Sequence, residues 1–236
     1  MRNYKLDLHI HTVLSPCADL LMTPANILNK AKEQGIDIIA ITDHNSAENI
    51  EVTLQLADNY PVHVIPGMEV ETREEVHLLC YFENLQQILT WQEIVYNNLP
   101  DLKNDEEYFG NQLKTDLEDQ YVTKIERLLA TATELRISEV VKKVRDLGGY
   151  VIPSHVDRSY SIIKNLGFVP PDLEIELLEI SKNGDISDLQ KNFPYLKSYN
   201  FIRNSDSHYL KEMHPMTEVE LSNMGLKRIF DKIITI

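Results

Sequence analysis

Lys5-Leu6-Asp7-Leu8-His9-Ile10-His11-Thr12 alternates strictly between apolar and polar side chains. With the period of two that a strand imposes, Leu6, Leu8 and Ile10 take one face and Asp7, His9 and His11 the other. In a barrel the apolar face packs on surrounding helices and the polar set points inside, where an unpaired charge or imidazole is costly. A bound cation removes that cost. Two histidines two residues apart put both rings on one side, in position to grip one ion through nitrogen.

Outward from this strand, the same chemistry recurs at other strand ends. The apolar run Asp37–Ile41 leads into Asp43-His44, and Val62–Pro66 into Gly67-Met68-Glu69. Tyr150–Ile152 leads into Pro153-Ser154-His155, and Asn200–Ile202 into Asp206 and His208. Further strands are predicted at Tyr4–His9, Val76–Phe82 and Leu177–Ile180. Helices are predicted at Pro24–Gln34, Ala47–Asn59, Val122–Leu135, Ser138–Leu147 and Met224–Ile233. The alternation implies an α/β fold with a mainly parallel sheet. Thr23-Pro24 reads as a helix start and Gly35 as its stop. Glu69 and His77 share a face only if residues paired across their connection have an even sum, which predicts a turn of odd length. A two-residue turn at Arg73-Glu74 would separate them.

The 236 residues suit a single barrel domain spanning 1–236. Within it, Asp101–Gln120 carries seven acids against two bases. The segment around 99–121 is an acidic insertion, either a solvated connection or a lid. No apolar run approaches the roughly 18 residues of a membrane span, and MRNYKLDLHIHT lacks the pattern of an export signal. With only Cys17 and Cys80, a disulfide framework is not indicated, so a cytoplasmic setting is expected. The net charge of −14 argues against broad binding of long duplex nucleic acid, which rests on many lysine and arginine contacts.

Taken in order, DLHIHT (7–12), DLLMTP (19–24), ITDHN (41–45), GMEVE (67–71), HLLCYF (77–82), PSHVDR (153–158) and NSDSHY (204–209) resemble the PHP family of polymerase and histidinol phosphatase domains. The resemblance implies a distorted (β/α)7 barrel with a metal site at the C-terminal ends of the strands. It also implies two or three divalent ions (zinc, manganese or iron) that hydrolyse phosphoesters by metal-activated water. Carried over by position, His9, His11, Glu69 and Asp206 share one ion. Glu69 bridges to a second completed by His77 and His155, and Asp19, His44 and His208 hold a third. The family's S-D-G is replaced here by Ser15-Pro16-Cys17-Ala18 before Asp19, which makes Cys17 an alternative ligand.

Asp7 and Asp43 adjoin ligand positions and are expected to orient imidazoles, which ligating histidines need. His63 and His214 are expected at the surface. Arg158 and then Lys182 are the expected contacts for substrate phosphate. The reading is hydrolysis of a small phosphate ester, a nucleotide among them, with no membrane partner and no oligomeric state implied. Three alternatives stand beside it: an exonuclease on short oligonucleotide ends, an amidohydrolase-type enzyme cutting C–N bonds, and a non-catalytic metal-binding regulatory module.

Overall fold

The computed structural model describes residues 1–234. The chain runs through β1 (Arg2–Ile10), α1 (Pro24–Gln34), β2 (Ile38–Ile41), α2 (Ile50–Ala57), β3 (His63–Glu71), β4 (His77–Tyr81) and α3 (Leu85–Asn98). A small hairpin, β5 (Leu113–Thr115) with β6 (Tyr121–Lys124), precedes α4 (Ile137–Asp146), β7 (Tyr150–Pro153) and α5 (Ile162–Leu166). There follow β8 (Leu177–Ile180), α6 (Ile186–Asn192), β9 (Asn200–Arg203), β10 (Thr217–Leu221) and α7 (Leu226–Ile234). Six strands hydrogen-bond in the order β10-β1-β2-β3-β4-β7, while β8 pairs with β9. Beyond β9, Ser207 bridges Ile10 in parallel. The result is an α/β fold built on a curled, half-barrel sheet.

The sheet is less parallel than its sequence predicts. β1-β2, β2-β3 and β8-β9 are parallel, whereas β1-β10, β3-β4 and β4-β7 are antiparallel. Connection length decides the β3-β4 pair: only Thr72–Val76 joins the two strands, far short of the dozen or so residues a parallel crossover needs. Glu71 pairs with His77 and Glu69 with Leu79, so the register sum is even and Glu69 and His77 do share a face.

A bulge in β1 corrects the face assignment made from its alternation. Asp7 pairs with Ile39 and Ile10 with Ile41, so Leu8 and His9 together stand opposite Ala40 alone. Leu6 and Leu8 therefore pack inside the curl with Ile38, Ala40, Ile65, Leu79, Ile152 and the apolar side of α7. Past the bulge the phase flips. Ile10 joins the core between the sheet and α1 to α4, and His9 and His11 turn inward above Leu8. The interior thus has an apolar floor and a polar upper layer.

Other expectations changed for identifiable reasons. Val122–Leu135 is not a helix: its first residues form β6, and the rest is held open by side chains. Gln112 donates to the carbonyls of Ile125 and Arg127, and Arg127 donates to those of Tyr96, Leu99 and Pro100. Tertiary partners have taken the backbone groups a helix would use. The helix sits earlier, as α3, where Asn84 caps Gln87 N at 3.1 Å and Ile88, Trp91 and Val95 are buried. α1 begins and ends as read, with Gly35 at φ 67°. Its N-terminal cap comes from Asp119, which accepts from Thr23 Oγ1 and Ala25 N.

Through Asp119 the acidic segment is docked against α1, and through Leu113 and Thr115 it contacts Val13 and Asn49 in the loops above β1 and before α2. Two of its residues pair with residues just beyond it, Glu106 with Lys124 at 2.7 Å and Lys103 with Glu126 at 3.0 Å. Among the described residues, no helix is long and apolar enough to cross a membrane.

Candidate metal centre

The polar upper layer follows from strand parity. On β3 the inward positions run Ile65, Gly67, Glu69; on β8 they run Leu177, Glu179; on β9 they run Ile202, Asn204. The last inward position on each strand is polar, and His9, Glu69, Ser154, Glu179 and Asn204 are all buried. Four of the seven described non-glycine residues at positive φ lie here, Asn45, His155, Tyr160 and Asp206. Such strain persists where the surroundings impose it, commonly at functional sites.

Eight of the nine expected ligands converge. His9 Nε2 lies 3.1 Å from His11 Nε2. Each of these nitrogens lies 3.4 Å from Glu69 Oε2 and 3.4 Å from Asp206 Oδ1. Glu69 Oε2 also meets His44 Nδ1 at 3.1 Å, while its Oε1 meets His77 Nδ1 at 3.1 Å and His155 Nε2 at 3.2 Å. The rings of His11 and His208 stack at 4.2 Å. Three donor groups result: His9, His11 and Asp206; His44, Glu69 and His77; and His11, His44 and His208.

Asp19 stands outside these groups. Its Oδ1 accepts from Leu21 N at 2.9 Å, and its own N–H donates to the His208 carbonyl. The place beside His44 and His208 that the resemblance gives to Asp19 is taken here by His11. Cys17, the alternative ligand, is exposed and joins none of the three groups.

The imidazoles are held from behind. His9 Nδ1 faces both Glu179 oxygens, at 3.0 and 3.1 Å. His11 Nδ1 meets Ser15 Oγ at 3.0 Å, and that hydroxyl donates to Asp43 Oδ1 at 2.7 Å. Asp43 therefore orients His11 through Ser15, and it also fixes Thr12 by two bonds of 2.7 Å. Asp7 does not reach an imidazole, because the bulge puts it on the opposite face from His9. It accepts from Ser205 N and Oγ, which braces the loop carrying Asp206.

Glu179 is the main residue the sequence reading missed. It accepts from His9, Ser154, His155 N and Asn204. Its signal was present: a lone acid one period beyond Leu177 in an otherwise apolar strand.

The electrostatics suit a cation. Burial works to push the Glu69 carboxyl up, yet His77, His9 and His44 hold it well below its ordinary value. Asp206 is likewise held far down, against its burial, chiefly by His9 and His11. Burial pushes His11 down to about 4 and His44 well below its ordinary value, leaving both neutral. His9 is held well up, against its burial, by Glu179, Glu69 and Asp206. Ionised Glu69 and Asp206 beside neutral His11 and His44 are in the state a metal requires of its ligands, and the protons that neighbouring carboxylates hold, against burial, on His9 and on His77, raised to about 10, are those a bound cation would displace.

The expected substrate contacts lie at the rim. Arg158 is partly exposed and its Nη1 donates to Asp206 Oδ2 at 2.8 Å. Lys182 pairs with Glu212 at 3.0 Å, and Glu212 in turn accepts from His208 N at 3.3 Å. His63 opens β3, half-buried at the other end of the sheet, and His214 is exposed.

A family model, the PHP domain, matches residues 7–158, well over half of the chain. The chain belongs to the PHP domain family, whose members include metal-dependent phosphoesterases and nucleases. An uncharacterised protein of Methanocaldococcus jannaschii is 36% identical over 100 residues, which are 39% of this chain and 58% of that protein. A 5′-3′ exoribonuclease of Haemophilus influenzae is 30% identical over 71 residues, 30% of this chain and 25% of that enzyme. Endonuclease Q of Pyrococcus furiosus, a lesion-specific endonuclease, has a similar fold, with TM-score 0.69 and 20% identity over all of this chain and 56% of that one. The matches thus span 58% of the Methanocaldococcus jannaschii protein, 25% of the exoribonuclease and 56% of endonuclease Q, less than two thirds of each.

One expectation is overturned by these comparisons. Endonuclease Q, at TM-score 0.70 and 19% identity over all of this chain and 57% of its own, has been solved with a 27-mer duplex bearing an abasic lesion at its active site. The fold is therefore compatible with long duplex nucleic acid, and a net charge of −14 does not exclude it. The physical reason is that net charge sums the whole chain, including carboxylates buried among imidazoles, whereas phosphate contact is local.

Proposed function

We propose that this chain hydrolyses phosphate esters with two or three divalent ions, zinc, manganese or iron, held at the C-terminal ends of the strands of a distorted (β/α)7 barrel. The observation that carries the reading is the set of separations around His9 and His11. Donors sharing one ion at 2.0–2.2 Å stand about 3.0–3.5 Å apart, and the five separations among His9, His11, Glu69 and Asp206 span 3.1 to 3.4 Å. The buried Nδ1 of His155 also has no hydrogen-bond partner. The donor set fits.

His9, His11, Glu69 and Asp206 would hold one ion, with Glu69 shared toward His44, His77 and His155, and His11 shared toward His44 and His208. When bound, divalent ions supply Lewis acidity, lowering the pKa of water toward neutrality and offsetting the charge of the ester. The protein's own contribution is orientation. Glu179 keeps the His9 proton on Nδ1, Ser15 with Asp43 keeps the His11 proton on Nδ1, and both Nε2 lone pairs are thereby directed inward. Arg158 has one hydrogen bond, to Asp206, and its remaining donors are available to phosphate oxygens. Lys182 stands one ion pair removed from His208. Hydrolysis of p-nitrophenyl phosphate and of nucleotide mono- and diesters, with each metal in turn and again after chelation, tests the reading. Inactivity on every ester by protein shown to carry metal would sink it.

A further inference from the structure

Beside the donor cluster opens a cleft of about 490 Å³, with His77 and His155 in its wall and Arg158, Tyr160 and Lys164 around them. Tyr160 has no place in the core, being 50% exposed. Yet its ring lies nearly parallel to the His77 imidazole, at 5.3 Å and 18°. The backbone is held at φ 56°, a left-handed conformation that a bulky side chain adopts only when its surroundings impose it. Here they do. The Tyr160 carbonyl accepts from His77 N at 2.8 Å, and Ser161 Oγ donates to Arg158 O at 2.7 Å. Ser181 clamps Asp157 by bonds of 2.9 and 2.6 Å. The loop presents its aromatic ring already ordered, so a ligand that stacks on it bears little ordering cost.

The charge in the cleft points to the same ligand. Arg158 has donors to spare, and the Lys164 side chain makes no ion pair among the described residues. Asp157 also lines the cleft, but its carboxylate is taken up by Ser181, and an open ring flanked by two cations suits a molecule with an aromatic plane and phosphate, since bases stack on aromatic side chains whatever their sequence. A bare sugar phosphate has no aromatic plane to stack on that ring. We infer that Tyr160 is a stacking platform for a nucleobase, so that the ester taken by this cleft is a base-bearing phosphodiester, a nucleotide ester or an oligonucleotide end. The inference rests on the phosphoesterase reading above and narrows its substrate class.

The test compares two p-nitrophenyl phosphodiesters, one of thymidine and one of the abasic deoxyribose, on the manganese-loaded chain and on Tyr160→Ala and Tyr160→Phe. The readout is the ratio of kcat/KM for the two esters. The wild type and Tyr160→Phe are expected to favour the base-bearing ester by roughly 5- to 150-fold, the range of one base stack, and Tyr160→Ala to bring the ratio close to one. Calorimetric binding of thymidine monophosphate to metal-free protein is the second arm. Equal hydrolysis of both esters by the wild type, or an equal loss on both in Tyr160→Ala, overturns the platform and leaves the phosphoesterase reading standing. Hydrolysis of neither ester, with thymidine monophosphate binding that depends on Tyr160, supports the platform and overturns the phosphodiester as its substrate, leaving the phosphoesterase reading to the monoesters tested above. Neither hydrolysis nor binding overturns the platform.

Discussion

His9 Nε2 and His11 Nε2 face each other at 3.1 Å, inside the reach of Glu69 and Asp206. On each ring the Nδ1 side is occupied, by Glu179 for His9 and by Ser15 for His11. Two ring nitrogens at that distance need a cation between them, a proton held on His9 or a metal ion that displaces it. The pair therefore defines what should happen when metal is withdrawn. At free metal near 100 times Kd, binding stabilises the fold by about 2.7 kcal/mol, which for a chain of this size is roughly 5–10 °C in Tm. Chelation should remove that increment, and His11→Ala should remove both the increment and at least one equivalent of bound metal. Differential scanning fluorimetry beside elemental analysis measures both. A Tm indifferent to chelator would count against the assignment.

Glu179 is the second point of leverage, because its carboxylate gathers four donors including His9 Nδ1. Glu179→Gln keeps the shape but turns one acceptor into a donor facing other donors. Metal affinity should fall about 10- to 100-fold, the usual effect of losing the group behind a ligating histidine. Competition with a chelating dye reads this directly. A variant that lost stability yet kept its affinity would show that Glu179 serves only packing.

Why Glu179 escaped the sequence reading while Glu69 did not is instructive. Glu69 lies in a polar stretch beside Gly67 and Glu71, where an acid announces a strand end. Glu179 sits within Leu177–Ile180, where burial dominates the pattern and a single acid looks like an exception. The candidate ligand positions were legible because most lie at or just beyond the end of a strand, and because the parity of Glu69 and His77, which opens β4, could be computed. The β1 bulge was not legible: alternation continues unbroken through Leu8 and His9, and only pairing with β2 reveals the extra residue. The same holds for Val122–Leu135, whose apolar spacing suits a helix until Gln112 and Arg127 claim its neighbourhood. The strand β10 alternates plainly as Thr217, Val219 and Leu221, and was readable but not read.

Gly67 carries a prediction about how β3 is seated. A Cβ added there would lie 2.8 Å from Thr42 Cγ2 and 2.9 Å from Ile41 O. The second contact is backbone of the neighbouring strand and cannot step aside. Gly67→Ala should cost about 1–3 kcal/mol in urea unfolding. Because Gly67 is two residues from Glu69 on the same face, metal affinity should drop with it. Unchanged unfolding would mean that β2 and β3 are not as closely apposed as described.

His63 gives a pH dependence that is independent of the metal cluster, since it lies at the opposite end of β3. Burial pushes its pKa below the ordinary 6.5, and Glu83 only partly opposes this. The folded state therefore takes up a proton less readily than the unfolded chain does. Where the unfolded state binds more protons, stability rises with pH. The contribution of His63 is thus fully present above about 6.5 and declines as pH falls below that value. The candidate metal ligands also gain protons in this range, so the wild-type slope alone is uninformative. The difference between wild type and His63→Gln isolates it: between about pH 7.5 and pH 5.5, at fixed metal buffering, the wild type should lose more stability than the variant. Parallel curves would mean that His63 titrates alike in both states, and a steeper variant would reverse the sign argued here.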